Sequence, residues 1–206
     1  MQPWSVLTGD FIKSTTVPPT QIERSFDIVA LCAQSLRAFT TQTIALSPRG
    51  GDGWQLALGE PRLALRATAL ITARLKADPE MLQTRIAIGA GLGNLPSSLD
   101  TNAAQGPAFI ASGRLLETLP KKRRISHAGT GAPTALYALL DHLMLGWTSA
   151  QAAAVAELLG PNPGPRAAAA DRLGKSRQAV DQALRGAGFA ALSDAIDACE
   201  RDAEVS

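Results

Sequence analysis

Cysteine, histidine and tyrosine are scarce in this chain: two, two and one among 206 residues. Cys32 and Cys199 lie in opposite halves, with no second cysteine or histidine at ligand spacing, which excludes a disulfide framework and a cysteine–histidine zinc module. Both thiols are expected to be reduced and structural, and His127 and His142 to be packing or surface residues. Long apolar runs are missing as well. Although 46% of the residues are apolar, charges or glycines interrupt every stretch before the ~20 residues that span a bilayer. Met1-Gln2-Pro3-Trp4 has no basic run followed by an apolar core, so no export signal is expected and the protein is placed in the cytoplasm. Net charge is only +2; what informs is where the cations cluster.

What is present reads as two kinds of structure. Trp4-Ser5-Val6-Leu7-Thr8 is a β-favouring run that ends at Gly9-Asp10. Ile22, Phe26, Val29, Ala33 and Leu36 then recur at helical spacing, with Thr20 and Glu23 offering a capping box. Residues 43–47 and 54–58 flank the turn-rich Pro48-Arg49-Gly50-Gly51-Asp52-Gly53 and predict a hairpin with Asp52 at its tip. A helix over 62–76, a strand over 84–91 and a helix over 105–119 follow. The order β-α-β-β-α-β-α is the split pattern of a ferredoxin-like sheet. Gly89-Ala90-Gly91-Leu92-Gly93 is no dinucleotide motif, because neither the helix nor the acidic residue that would complete one follows it.

From residue 147 the pattern is helical throughout. A proline-rich break at Pro161-Asn162-Pro163-Gly164-Pro165 precedes a short helix over 166–173, Gly174 stops it, and Ser176 caps the next helix. Ala170, Gly174 and Val180 sit where a helix-turn-helix needs a small residue, a positive-φ residue and an apolar anchor. Lys175, Ser176, Arg177, Gln178, Asp181, Gln182 and Arg185 then form the start and exposed face of a recognition helix, in which Arg and Gln suit base edges and Lys175 and Ser176 suit phosphates. The alternative is a small three-helix bundle used for protein contact. The expected architecture is therefore α+β: a ferredoxin-like βαββαβ domain over 1–130, a connector helix over 131–146, and an all-α helix-turn-helix domain over 147–206 that binds DNA.

Asp10 and Asp52 become neighbours if the first strand lies beside the hairpin. Two carboxylates converging at strand ends suit a hard divalent ion, Mg²⁺ or Mn²⁺, that draws its other ligands from water and substrate phosphates. Phe11, Ile12, Lys13, Ser14 and Thr15 could supply backbone N–H groups, a cation and hydroxyls to a triphosphate.

These same segments carry a family resemblance. Residues 6–15, Gly51-Asp52-Gly53-Trp54 and Arg85-Ile86-Ala87-Ile88-Gly89 resemble the metal-binding strand, hairpin and following strand of class III nucleotide cyclases, and residues 106–116 resemble their late catalytic helix. Wording and the attached helices together are most similar to the SatD family of small bacterial cytoplasmic proteins. The resemblance implies a nucleoside triphosphate or cyclic nucleotide as ligand, a homodimer, and Arg114 as the catalytic group that stabilises phosphate charge. It departs where cyclases place a base-contacting Asp, here Pro107, and a transition-state Asn, here Ile110. The expected function is a DNA-binding transcription regulator whose cyclase-like domain binds metal–nucleotide or dimerises. The alternative is a nucleotide cyclase or related nucleotidyl-transferring enzyme that uses Asp10 and Asp52 with a divalent metal.

Overall fold

The computed structural model describes residues 1–202. Its five strands form one sheet: β1 (Gln2–Phe11), β2 (Ile44–Arg49), β3 (Gly53–Leu58), β4 (Thr84–Gly93) and β5 (Ile125–His127), in the order β2-β3-β1-β4-β5. The first four strands are mutually antiparallel where they pair, and β5 lies parallel to β4. Eight α-helices are described: α1 (Pro19–Leu36), α2 (Ala64–Ala77), α3 (Pro107–Thr118), α4 (Ala132–Leu145), α5 (Ser149–Leu159), α6 (Arg166–Leu173), α7 (Arg177–Gly186) and α8 (Phe189–Asp202).

Alternation along the strands divides the sheet into two unlike faces. Leu7, Phe11, Trp54, Leu56, Leu58, Ile86 and Ile88 point into the main core, with α1 and α2 against it. Trp4, Val6 and Ala57 point the other way and meet Ala108 and Phe109 of α3. The glycine run of β4 explains how α3 comes so close. A Cβ at Gly89 would lie 2.7 Å from the Ser112 backbone nitrogen and nearer still to the Ala108 carbonyl, so only glycine lets the helix rest on the strand.

Two expectations change. The capping box at Thr20 is absent; the N-cap lies two residues earlier, at the extended Pro18, and α1 begins at Pro19. Proline at the first helical position needs no N–H partner, so the helix starts there without a side-chain cap. A capping box does form at α5, where Thr148 accepts from the Gln151 backbone and Gln151 from that of Thr148. The sequence reading also has no counterpart for β5. Buried Asp141 of α4 fixes that short strand by accepting from the backbone N–H groups of Arg124 and Ile125 at 3.0 and 2.9 Å.

The C-terminal helices dock on the sheet's own layer. Alanine-rich α5 lies against α2, its Ala152, Ala154, Val155, Ala156 and Leu159 buried, and one apolar cluster runs unbroken from Leu7 to Ile196. Arg66 of α2 clamps the contact: it forms a two-pronged pair with Glu200 at 2.6 and 2.9 Å, donates to the Leu159 carbonyl at 3.3 Å, and lies 4.4 Å from the centre of the Phe39 ring. Lys76 closes the end of α4 by donating to the Met144 and Leu145 carbonyls. No helix among the described residues is long and apolar enough to cross a membrane.

Candidate functional site

The carboxylate end of the sheet is built by strand register. β1 pairs with β3 so that Asp10 faces Gly53, and with β4 so that Asp10 faces Arg85. Across β3, Gly53 faces Arg49 of β2. One row therefore reads Arg49, Gly53, Asp10, Arg85, with its side chains on the α3 face; a Cβ at Gly53 would collide with the Arg49 carbonyl oxygen, so only glycine fits between Arg49 and Asp10. Asp52 precedes that glycine, and its carbonyl accepts from the Phe11 N–H at 3.0 Å, which ties the hairpin turn to the end of β1. The register thus brings the two aspartates together.

Their partners differ. Arg85 grips Asp10 with both prongs, Nε to Oδ1 at 2.9 Å and Nη2 to Oδ2. Hydrogen bonding to Asp10 holds the guanidinium pKa above its ordinary value; burial opposes the shift, and the charges of Asp10 and Asp52 add to it. Asp52 accepts from the buried Ser14 hydroxyl through Oδ2, leaving Oδ1 without a partner among the described residues. Behind them, the buried Trp54 indole donates to the Thr84 hydroxyl at 3.1 Å, and Thr84 donates to the Asp10 carbonyl at 2.8 Å. This relay fixes the backbone from which the Asp10 carboxylate projects.

The segment after β1 is shaped for an anion. Lys13 takes the left-handed conformation, φ 62° and ψ 24°, unusual for a residue with a side chain, and a 3-10 turn over Ser14–Thr16 follows. The N–H groups of Phe11 and Ile12 are engaged by the Asp52 and Gln83 carbonyls, so those two residues of the expected phosphate loop have none to offer. Those of Lys13, Ser14 and Thr15 have no partner among the described residues. Successive unpaired N–H groups around a left-handed residue form a concavity of positive potential.

Arg49, like Arg85, is a residue that sequence reasoning missed. It stands at the end of β2, and only the three-strand register reveals that it shares a row with Asp10. With the Gln55 amide oriented to satisfy its neighbours, Arg49 Nη1 donates to it at 3.2 Å, and the same oxygen accepts from Thr8 at 2.8 Å. Thr8 in turn bonds Ser112 of α3 at 2.8 Å, so a buried polar layer underlies the row. A Cβ at Gly113 would lie 3.7 Å from Arg49, which places the next residue, the exposed Arg114, on the turn of α3 that passes over the site. Ile110, one helical turn earlier, is 52% exposed.

A divalent ion has a partial donor set here. Asp52 Oδ1 and the second lone pairs of Asp10 are available, yet no group of three or more acidic, histidine or cysteine side chains suited to a metal occurs among the described residues. That set fits an ion whose shell is completed by phosphate oxygens and water. Arg49, Arg85 and Lys13 set three cations against two carboxylates, which suits a metal–triphosphate rather than a bare metal ion.

Two solved structures share part of this course of chain. The likeness is to nucleotide cyclases. A bacterial light-regulated adenylyl cyclase matches at 18% identity with a TM-score of 0.43, over 64% of this chain and 46% of that one. The guanylyl cyclase Cya2 matches at 14% identity with a TM-score of 0.42, over 63% of this chain and 79% of that one. The chain thus spans less than half the length of the first of these. No family model and no curated protein matches it.

The α6–α7 segment has its own geometry. Gly174 ends α6 at φ 61°, with the Lys175 N–H bonded to the Ala170 carbonyl at 2.9 Å and that of Gly174 to Asp171 at 3.1 Å. Ser176 caps α7 by accepting from the Ala179 N–H at 3.2 Å, which leaves its O–H as the donor that the sequence reading offered to phosphate. Val180 and Leu184 are buried, and Lys175, Arg177, Gln178, Gln182 and Arg185 are exposed. Asp181 is half-buried and paired with Arg166 at 3.0 Å and Arg177 at 3.9 Å. Arg172 is bound to Glu157 at 2.5 Å, so the basic cluster is partly neutralised from within.

Proposed function

We propose that the carboxylate end of the sheet binds a nucleoside triphosphate together with a divalent cation. The observation that carries this reading is the row Arg49–Gly53–Asp10–Arg85, flanked by Asp52 and by the unpaired N–H groups of Lys13, Ser14 and Thr15. Asp52 and Asp10 would hold Mg²⁺ or Mn²⁺, which when bound neutralises phosphate charge and polarises the phosphorus centre. In this reading the N–H groups of the turn bind phosphate oxygens, Arg49 adds a cation to the row, and exposed Arg114 on α3 would supply a second guanidinium to phosphate. Arg85 orients the Asp10 carboxylate through its two-pronged pair and adds positive charge to the site.

This is the ground state from which a cyclase or another nucleotidyl-transferring enzyme starts. Neither Pro107 nor Ile110 has a side chain that can hydrogen-bond a base or a ribose, so this reading places binding ahead of fast turnover. The strand order β4-β1-β3-β2, with α1 and α2 on one face, supports the ferredoxin-like description. Exposed Ile110 beside Arg114 on α3 is an apolar surface that a second copy would cover in a homodimer. The deciding experiment titrates ATP and GTP with Mg²⁺ or Mn²⁺ by calorimetry, followed by mass spectrometry of the mixture. Binding lost in both Asp10→Asn and Asp52→Asn supports the site; binding that survives both substitutions overturns it, and a new product makes the protein an enzyme.

A second reading concerns α6 and α7. We propose that they form a helix-turn-helix whose α7 lies in the major groove of DNA, supported by the left-handed Gly174 and by the exposed Lys175, Arg177, Gln178, Gln182 and Arg185. It joins the regulator function expected from the sequence to the nucleotide site, as reader and sensor.

A further inference from the structure

At the other end of the sheet, on the face that carries α2, lies a concavity of about 780 Å³ that the proposed nucleotide site does not use. Its walls come from both halves of the chain: Ser5, Ile88 and Ala90 of the sheet, Leu65 of α2, and Ala132 and Leu136 of α4. The volume is that of a small-molecule site, and most of the lining is apolar.

Polar side chains line it as well, among them Ser5, Tyr137 and His127. His127, at the end of β5, stacks on the buried Tyr137 ring with centroids 5.4 Å apart and planes 7° from parallel. Its Nδ1 accepts from the Gly129 N–H at 2.9 Å, which puts the imidazole proton on Nε2. Among the described residues, that Nε2–H has no acceptor. Burial lowers the His127 pKa, so the ring is neutral at pH 7. At the rim, Glu60 and Arg62 pair at 3.3 Å and Arg62 also donates to the Glu200 carbonyl.

We propose that this cavity binds a small uncharged molecule, largely apolar, whose carbonyl or ether oxygen accepts the hydrogen bond from His127 Nε2–H. Size sets the body of the ligand, the apolar lining disfavours net charge, and the unpaired donor sets a polar group that the ligand must carry. Because α4 and Cys199 of α8 share the cavity with strands β1 and β4, an occupant bridges the sheet and the C-terminal helices. Binding therefore raises the melting temperature of the whole chain.

Nile red, an uncharged dye with a ring carbonyl, is the probe. The expected result is saturable, blue-shifted emission with the full-length protein. Leu136→Trp fills the cavity and abolishes it, and His127→Phe, which keeps a ring against Tyr137, weakens affinity about tenfold. Leu139→Trp, on the outward face of α4 where Leu139 is 71% exposed, leaves it unchanged. If Leu136→Trp does not melt cooperatively, Ala132→Trp at the exposed start of α4 is the filling variant. Absence of saturable binding, indifference to the filling variant, or equal loss with Leu139→Trp overturns the proposal. Asp10→Asn reads independently: it disables the nucleotide site and leaves dye binding intact.

Discussion

Arg85 decides what Asp10 can do. A carboxylate gripped by a guanidinium is partly neutralised, so a metal ion approaching it meets a competing cation a few ångströms away. Removing that cation with Arg85→Ala is expected to tighten Mn²⁺ binding in the absence of nucleotide about tenfold, after allowance for solvent screening of a part-exposed pair. The same change should weaken triphosphate binding, because it deletes a positive charge and frees the Asp10 side chain to rotate. Parallel Mn²⁺ and ATP calorimetry checks both directions; tighter binding of both ligands would show that Arg85 has no part in phosphate recognition.

Cys32 tests the interior at the same scale. Burial pushes its thiol from 9.0 up to about 12, with Arg74 opposing. The folded state favours the neutral form. Its contribution to stability is whole below pH 9.0 and is lost as pH rises through about 12. Melting temperatures measured from pH 8 to 11 should therefore fall more steeply for the parent than for Cys32→Ala. In the native protein Cys32 should resist alkylation at pH 8 and react once the chain is unfolded.

Between elements, the contact of α3 with β4 leaves least room for change. A methyl group at Gly89 meets helix backbone, which cannot swing aside as a side chain would, so Gly89→Ala should destabilise the protein by about 1 to 3 kcal/mol or more in urea unfolding. This contact also marks where sequence reading succeeds and where it stops. Strands β1 and β4, the hairpin and α3 are legible because apolar period and turn residues are local properties. That the glycines at 89 and 93 alternate toward α3 is not, since nothing in the run names its partner. Arg49 and Arg85 escape for the same reason: the row that joins them to Asp10 spans residues 10 to 85, and register is a property of paired strands. Three-residue β5 has no periodicity to detect, and the buried Asp141 that holds it comes from a later helix.

The turn before α7 separates capping from recognition. Ser176→Ala removes the cap and should cost about 1 kcal/mol of stability. Arg177, with 73% of its side chain exposed, contributes little to the fold; if α7 reads DNA, Arg177→Ala should weaken binding by about 1 to 3 kcal/mol while leaving the melting temperature near that of the parent. Anisotropy titrations over a range of salt concentrations, run beside thermal melts, separate the two effects.

At the scale of the molecule, the sequence suggests two units joined by a connector, whereas the packing gives one continuous apolar cluster. The difference lies in α5, whose alanines read as helix-forming and nothing more until α2 is seen lying against them. Arg66 locks that contact from the side, with its own side chain 12% exposed and that of Glu200 17%. Replacing one partner of such a pair strands the other charge in a poorly hydrated place, an effect commonly of about 3 to 5 kcal/mol. Arg66→Met keeps much of the length and apolar stem while deleting the charge, so it should lower stability by an amount near the bottom of that range. If the shared core makes the chain a single cooperative unit, calorimetry will show one transition at a lower temperature. Two transitions would mean that Arg66, more than the apolar contact between α2 and α5, holds the C-terminal helices to the sheet, and that a ligand at either end could move them separately.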